Sequence, residues 1–335
     1  RCEGSPSKNV AAHGKLTADI NLATNNASVA TVDINGTNVT CANWTPIGKE
    51  YSNYTGTFNG NGKIISNWYI GSSNGVGLFR WLGNGATIKN VEVDVCTIYN
   101  NNNFNPSSCG FICGESSSSN ITIDNCVARS DTYIGCYCKC GGIVGYLCGS
   151  NNKISNCTFK GVICSSSDST TGVCMCGGIA GKTSADIENC ENHGWVRTNT
   201  STNIKGLGGI VGYICTTGRS DASPIPTVTS CINGTEGKTG SCGNVSGDGT
   251  LWGYRCIGGI VGSGMANVHK CKNFGFIGGE ATSIGGIYGD LDCYTSANDW
   301  DGGKSDGNVS ISECLNYGTV ISNKDNVGGI FGYLG

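Results

Sequence analysis

The 335-residue sequence is short of charge and of several residue types that mark common protein classes. Charged residues make up 13% of it, and there are five prolines, two methionines and three histidines. So little proline excludes collagen and proline-rich linkers. The net charge of -3 comes with no cluster of Lys or Arg, which excludes the basic surface that nucleic acid requires.

Long apolar runs are missing as well, whereas cysteine is abundant. No stretch approaches the 18 or more apolar residues of a membrane helix, so membrane insertion is not expected. The chain has 22 cysteines, far more than a reducing cytosol favours, and their even number fits complete pairing. These features predict an extracellular or cell-surface protein.

Glycine is the most conspicuous residue, with 55 copies that follow a repeated pattern. The pattern is Gly-Gly-Ile-x-Gly, with two looser copies around Gly77 and Gly110. Its regular copies begin at Gly141, Gly177, Gly208, Gly258, Gly285 and Gly328. The unit is about 30 residues long with variable insertions, which is typical of a solenoid.

A second half-motif follows each glycine marker and consists of a branched aliphatic residue with a cysteine three positions later. The pairs are Ile123/Cys126, Ile154/Cys157, Ile187/Cys190, Val228/Cys231, Val268/Cys271 and Ile311/Cys314. Residues three apart face opposite sides of a flat strand, so both can enter one core only if the chain turns a corner between them.

A further bend is predicted two residues after the cysteine, where asparagine recurs, usually with a glycine close behind. The asparagines are Asn192, Asn233, Asn273 and Asn316. Asn and Gly tolerate positive φ, which favours a bend at this point. The unit contains no sustained helical spacing of apolar residues. Each unit therefore reads as short strands joined by tight corners.

Short strands repeated in this way predict an all-β fold, a parallel β-helix of about eight coils. Coils stacked about 4.8 Å apart would form a rod on the order of 40 Å long. Residues 1–70 do not match the repeat and are interpreted as an N-terminal cap or lead-in segment, and residues 71–335 as the solenoid. Ile, Cys and Asn would form ladders along the rod.

The units resemble GLUG-type repeats of surface-exposed and secreted proteins. The preceding segment is similar too, with Leu16–Leu22, Trp44–Gly48 and Gly56–Ile65 in the order seen before such repeats. The resemblance covers the chain from about Leu16 to Gly335. It implies a β-solenoid with a cell-surface or extracellular role, and it carries no catalytic residues. High cysteine content departs from the family pattern.

The cysteines are expected to reinforce the rod as disulfides, because equivalent Cα atoms on stacked coils fall within the disulfide range. A ladder cysteine could bond to its neighbour on the next coil or to one beside the glycine motif, and the sequence leaves this open. The candidates are Cys126, Cys157, Cys190, Cys231, Cys271, Cys314, Cys136, Cys138, Cys140, Cys148, Cys174, Cys176 and Cys215. Metal binding by the dense groups is the less favoured alternative, and no metal or cofactor is expected.

Glycosylation sequons are frequent, although Asn, Ser and Thr are so abundant that chance accounts for about this many. The candidate sites are Asn26, Asn35, Asn38, Asn43, Asn53, Asn120, Asn156, Asn199, Asn244 and Asn308. A segment at 299–306 resembles a calcium loop but lacks the terminal Glu of an EF-hand and is interpreted as a solvated insertion.

The residues that follow the ladder aliphatics make no carboxylate pair on adjacent coils, so an enzyme is not expected. The favoured function is an extracellular structural or adhesive protein, which could assemble head to tail with itself. The alternative is a polysaccharide-active enzyme or a glycan-binding module on the same scaffold, using aromatics such as Trp252, Tyr254 and Trp300. Extracellular glycans are the other expected partner.

Overall fold

The computed structural model consists of parallel strands wound into a solenoid. In the described part of the chain, all regular secondary structure is β-strand. The structure describes residues 11–24, 29–34, 37–48, 52–71, 76–99, 107–135, 139–165, 174–198, 204–219, 225–237, 245–247, 256–279, 282–291, 309–322 and 326–333.

The glycine motifs build two narrow sheets that meet at each Gly-Gly-Ile turn. The seven-stranded sheet contains Ser108–Gly110, Lys139–Gly141, Cys174–Gly177, Ile204–Gly208, Cys256–Gly258, Ser283–Gly285 and Val327–Gly328. The eight-stranded sheet contains Phe79–Trp81, Cys113–Ser116, Val144–Leu147, Ala180–Thr183, Val211–Ile214, Val261–Gly264, Tyr288–Asp290 and Phe331–Tyr333. Eight stacked strands agree with the predicted number of coils.

The aliphatic, cysteine and asparagine motifs belong to a third sheet of 24 strands, which bends around the rest of each coil. Its strands are Gly14–Lys15, Ile20–Asn21, Val29–Ile34, Thr37–Asn43, Thr57–Ile70, Thr87–Tyr99, Thr122–Asp124, Val127–Ala128, Thr132–Gly135, Lys153–Ser155, Thr158–Phe159, Val162–Ser165, Asp186–Glu188, Glu191–Asn192, Trp195–Thr198, Thr227–Thr229, Ile232–Asn233, Val245–Gly247, Asn267–His269, Lys272–Asn273, Ile277–Gly279, Ile311–Ser312, Leu315–Asn316 and Val320–Ser322.

The strands pair in parallel with equivalent residues in register, which confirms the predicted β-helix. Ile123, for example, lies opposite Ile88 on one side and Ile154 on the other. An antiparallel hairpin of Val29–Ile34 and Thr37–Asn43 lies beside Thr57–Ile70, with which Ala42 and Asn43 pair in parallel. Thr57–Ile70 already pairs in parallel with the next coil, so regular stacking includes a segment interpreted as lead-in.

The corner between the ladder aliphatic and the cysteine is made by one residue in the left-handed region. Its φ is 50° at Asn125, 55° at Asn156 and 52° at Asn189. The later coils place Ser230, Lys270 and Glu313 there, with φ between 53° and 55°. This residue turns the chain so that both the aliphatic and the cysteine are buried, except in the last coil, where Ile311 and Cys314 are partly buried.

At the second bend the structure differs from the sequence interpretation. The recurring asparagines there do not have positive φ. Asn192 is fully buried, and its Oδ1 accepts a hydrogen bond from the Gly194 N–H at 3.0 Å. Its Nδ2 donates to Asn233 Oδ1 at 2.8 Å, and Asn233 donates in the same way to Asn273 at 2.8 Å. The side-chain amide therefore closes the bend and links neighbouring coils.

The Gly-Gly pair is required because the coils approach too closely for a side chain. A Cβ on Gly209 would lie 2.1 Å from the Gly259 carbonyl oxygen and 2.4 Å from Asn233 Cγ. A Cβ on Gly178 would meet the Gly209 oxygen and Asn192 Cγ, both at 2.4 Å. The second glycine thus leaves room for the asparagine of the same coil and for the next backbone.

This packing predicts a position-dependent penalty for alanine at equivalent glycines. Gly209→Ala should lower the free energy of unfolding by about 1 to 3 kcal/mol, because neither the backbone oxygen nor the buried amide can move freely. Gly329→Ala is the matched control, since nothing lies within 4 Å of a Cβ there. Urea unfolding of both variants checks this, and equal losses would contradict the packing account.

Candidate functional site

The outward row beside the ladder aliphatics is held together by bonds along the rod. The row is Asp124, Ser155, Glu188, Thr229, His269 and Ser312. Ser155 Oγ donates to Asp124 Oδ1 at 2.7 Å, and Lys153 Nζ lies 2.6 Å from Glu188 Oε2. No two carboxylates occupy adjacent positions of this row, so it lacks the closely spaced pair, about 5 Å apart, that a retaining glycosidase uses.

Sequence reasoning missed one arrangement with catalytic residue types. Ser312 Oγ lies 2.8 Å from His269 Nδ1, and Glu313 Oε1 lies 3.6 Å from His269 Nε2. Parallel stacking creates this trio, because His269 and Ser312 are register partners far apart in sequence. The His269 and Glu313 side chains are 37% and 63% exposed, so their charges are screened by water. The trio lacks the burial that activates a nucleophile.

The ladder cysteines stack as predicted, but they are thiols. In the described part of the chain none of 17 cysteines is joined in a disulfide, so reinforcement by disulfides is not seen there. Disulfide reinforcement is therefore not confirmed for the predicted cysteines that the structure describes, which are Cys126, Cys157, Cys190, Cys231, Cys271, Cys314, Cys140, Cys148, Cys174, Cys176 and Cys215. Cys136 and Cys138 lie outside the described residues.

The direction of the thiols explains the difference. Cys157 Sγ lies 3.1 Å from the Ser155 carbonyl oxygen and 3.8 Å from that of Ile123 on the preceding coil. Cys190 repeats this with the carbonyls of Glu188 and Ile154. An S–H group can donate weakly to such an oxygen, whereas a disulfide sulfur cannot. The Cα spacing alone allowed disulfides, and the side chains take the thiol geometry instead.

One contact between cysteines joins two coils that are not neighbours. Cys148 and Cys215 bring their Sγ atoms to 3.5 Å although they belong to coils separated by another coil. The intervening equivalent is Ser184, whose Oγ accepts from the Gly149 N–H at 3.0 Å. Because this serine is small and turned toward the backbone, the two thiols meet past it.

A column of two tyrosines and a lysine runs beside these thiols. Lys182 Nζ lies 5.9 Å from the Tyr146 ring centre and 5.4 Å from the Tyr213 ring centre, a cation–π arrangement on both sides. The lysine is only 8% exposed. Cys148, Met175, Tyr213 and Cys215 form one buried cluster against which Tyr146 packs.

The pKa of the Cys148 thiol is set by the residues of this cluster. Burial raises the pKa of the Cys148 thiol well above its usual range, and the contact with Cys215 acts in the same direction. The Lys182 ammonium and a hydrogen bond with Tyr146 act against the rise and favour the thiolate. We call Cys148, Cys215, Met175, Lys182, Tyr146 and Tyr213 the thiol–tyrosine cluster.

The candidate glycosylation sites fall in different surroundings. Asn38 and Asn43 are exposed on the N-terminal hairpin, and Asn120 and Asn156 are exposed at corners of the coils. Asn53 is partly buried. The remaining candidates, Asn26, Asn35, Asn199, Asn244 and Asn308, lie outside the described residues.

Other predicted features also lie outside the described residues, namely the segment 299–306 and the aromatics Trp252, Tyr254 and Trp300. Where the structure describes the chain, no three or more His, Cys, Asp or Glu side chains group as metal ligands. A search of the described residues for a helix long and apolar enough to cross a membrane found none.

Comparison with known proteins gives a likeness of fold. No family model matches the chain, and no curated protein matches it either. A similar solved structure is that of a putative immunoglobulin A1 protease from Bacteroides ovatus, with a TM-score of 0.55 and 18% identity. The match covers 92% of this chain and 77% of the other. At this identity the likeness supports the β-helix scaffold alone.

The buried thiols whose pKa the fold raises predict a loss of stability in alkali. Burial raises the pKa of Cys157 and Cys231, and raises that of Cys41 to about 11, above the ordinary thiol value of about 8.5. Their contribution is therefore fully present below about pH 8.5 and is lost as the pH rises toward the folded-state pKa, because only the unfolded chain releases the protons.

Urea unfolding in reductant at about pH 7.5 and about pH 9.5 measures this loss. In Cys157→Ala the decline should be smaller than in the unsubstituted chain, by up to roughly 1.4 kcal/mol per pH unit. The variant's lower overall stability does not matter here, since the readout is the slope with pH. Identical slopes would show that Cys157 is not held protonated by the fold.

Proposed function

We propose that this protein is an extracellular structural or adhesive β-solenoid. The observation that carries the proposal is that the repeated polar residues bond along the rod. The buried asparagine amides join coil to coil, and Ser155 and Asp124 do the same outside. The repeat thus uses its polar groups to hold neighbouring coils together, as a structural rod requires.

The extracellular location is part of this proposal. Its support is the resemblance of the Gly-Gly-Ile-x-Gly units to GLUG-type repeats of surface-exposed and secreted proteins. Cysteine content supports it less than the residue count alone implied, because the described cysteines are not in disulfides. Exposed sequons such as Asn38 and Asn120 are compatible with glycans.

Assembly with a second copy of the chain is the second part of the proposal. The coil containing Ile311–Ser312, Leu315–Asn316 and Val320–Ser322 pairs on one side only among the described residues. Among the described residues, five of the eight exposed large hydrophobic side chains belong to this coil and its continuation to Tyr333, with exposures of 40 to 63%. They are Leu315, Tyr317, Ile321, Val327 and Tyr333. A strand edge with apolar side chains favours pairing with another strand, which a further coil or a second copy of the chain can supply, and we propose the second copy.

Light scattering tests the assembly. The unsubstituted chain should form species larger than a monomer, and Tyr317→Asp combined with Ile321→Asp should shift it to monomers, because charge on the apolar edge opposes pairing. Trp195→Asp is the control, since Trp195 is 42% exposed but its strand is paired on both sides. A monodisperse monomer of the unsubstituted chain at high concentration would contradict this part of the proposal.

The alternative of an enzyme on the same scaffold rests on a specific observation, the Ser312–His269–Glu313 trio. The alternative of a glycan-binding module rests on the stacked rings of Phe274 and Tyr317, whose centres are 5.1 Å apart. The trio is exposed to water, and Tyr317 lies on the coil that is paired on one side only. Stacking of neighbouring coils therefore also explains each arrangement.

A serine-directed fluorophosphonate probe separates a structural protein from a serine hydrolase. We expect no labelling of Ser312, because an exposed serine without a buried base remains a weak nucleophile. Labelling that disappears in Ser312→Ala but persists in Ser155→Ala would favour the enzyme. Release of sugars from plant or bacterial polysaccharides by the unsubstituted chain would also contradict the structural proposal.

A further inference from the structure

The thiol–tyrosine cluster lies where the repeat changes composition. Leu147, Thr183 and Ile214 are register partners on three successive coils, and the next residues are Cys148, Ser184 and Cys215. The backbone keeps its usual pairing there, since the Ser184 N–H donates to Leu147 and the Cys215 N–H donates to Thr183. The two cysteines are thus two coils apart.

That separation decides which bond the two sulfurs can form. Twice the strand spacing places the two Cα atoms about 9.6 Å apart, beyond the disulfide limit of about 7 Å. A disulfide would therefore require the coils to shift and Ser184 to be displaced. The Sγ atoms nevertheless lie 3.5 Å apart with both side chains nearly buried.

We infer that Cys148 and Cys215, together with the Met175 thioether, form a binding site for a soft monovalent metal ion of the copper(I) class. Thiolate and thioether sulfur are the ligands that favour copper(I) in proteins. With metal–sulfur bonds of about 2.3 Å, as for zinc thiolates, trigonal geometry needs sulfurs about 4.0 Å apart. The observed contact reaches this value with a movement of about 0.5 Å, which side-chain rotation supplies.

The donor set also discriminates between metals. Structural zinc requires four ligands from Cys, His or carboxylate, and no group of even three such residues is found where the structure describes the chain. Met175 is buried in the same cluster as the two cysteines, and its thioether is the third sulfur that we assign to the site. Three sulfurs suit a soft ion that accepts low coordination.

The charges of the cluster balance when such an ion binds. Binding of the cation forms two metal–sulfur bonds at the cysteines and releases two thiol protons to solvent, with no change of oxidation state. Two thiolates and one monovalent ion leave a single negative charge, which the positive charge of the nearly buried Lys182 offsets. Tyr146 and Tyr213 hold that ammonium in place through their rings. This inference does not rest on the proposed function.

Protection from alkylation tests the site directly. The full chain, reduced and free of oxygen, receives one equivalent of copper(I) and is then treated with iodoacetamide in urea below the unfolding midpoint, where local opening exposes the nearly buried thiols, and mapped by mass spectrometry. We expect Cys148 and Cys215 to lose labelling relative to the metal-free chain, while Cys164 labels equally in both. Protection confined to other cysteines, or recovery of Cys148 and Cys215 in one disulfide-linked peptide, would overturn the inference.

Competition with a copper(I) chelator supplies the second measurement. Cys148→Ser and Cys215→Ser should each lose the tightest copper(I) equivalent, whereas Cys164→Ser, which removes another nearly buried thiol, should retain it. Met175→Leu keeps the volume and should retain the equivalent with weaker affinity. Circular dichroism checks that each variant is folded. If folded Cys148→Ser and Cys215→Ser bind as tightly as Cys164→Ser, the inference is wrong.

Discussion

The in-register parallel stacking of the coils is the constraint on which the structure depends. Each residue type in the unit faces its own copy one coil above and one below, so a favourable or unfavourable contact is repeated along the rod. Glycine recurs at Gly178 and Gly209 because the next backbone and a buried amide occupy the space of a Cβ. Asparagine recurs because its amide donates to the next asparagine while closing its own bend.

The periodicity of the sequence was sufficient to predict the fold, because in-register stacking places the same residue type at the same position of every coil. The spacing of Ile123 and Cys126 required a corner between them, and Asn125 adopts the left-handed conformation at that position. The repetition did not show which chemical property of a repeated residue stabilises the structure. Asn192 was interpreted through its tolerance of positive φ, whereas the structure uses its side-chain hydrogen bonds. To predict a ladder of buried polar side chains one must know where each side chain points, and the spacing of residues in the sequence does not give that direction.

The cysteines show the same limit. Cα spacing between coils permitted disulfides, but a thiol in the ladder points at two carbonyls, as Cys157 does. The Ser312–His269–Glu313 trio was missed for a related reason. Its members lie on two neighbouring coils that are separated in sequence by an insertion, so no short sequence motif includes all three. Alignment of successive coils, followed by reading across coils, is the signal that could have found it.

Sites with distinctive chemistry in a stacked repeat arise where one coil departs from its neighbours. In the row of ladder cysteines each thiol lies against backbone carbonyls and against the thiols of the neighbouring coils. The row containing Cys148 and Cys215 is interrupted by Ser184, whose hydroxyl bonds to Gly149 and leaves the sulfurs to meet. In the adjacent row Lys182 interrupts two tyrosines in the same way and places a cation between their rings. Lys182 and Ser184 lie on the same coil, so the composition of this one coil brings sulfur, charge and aromatic rings together.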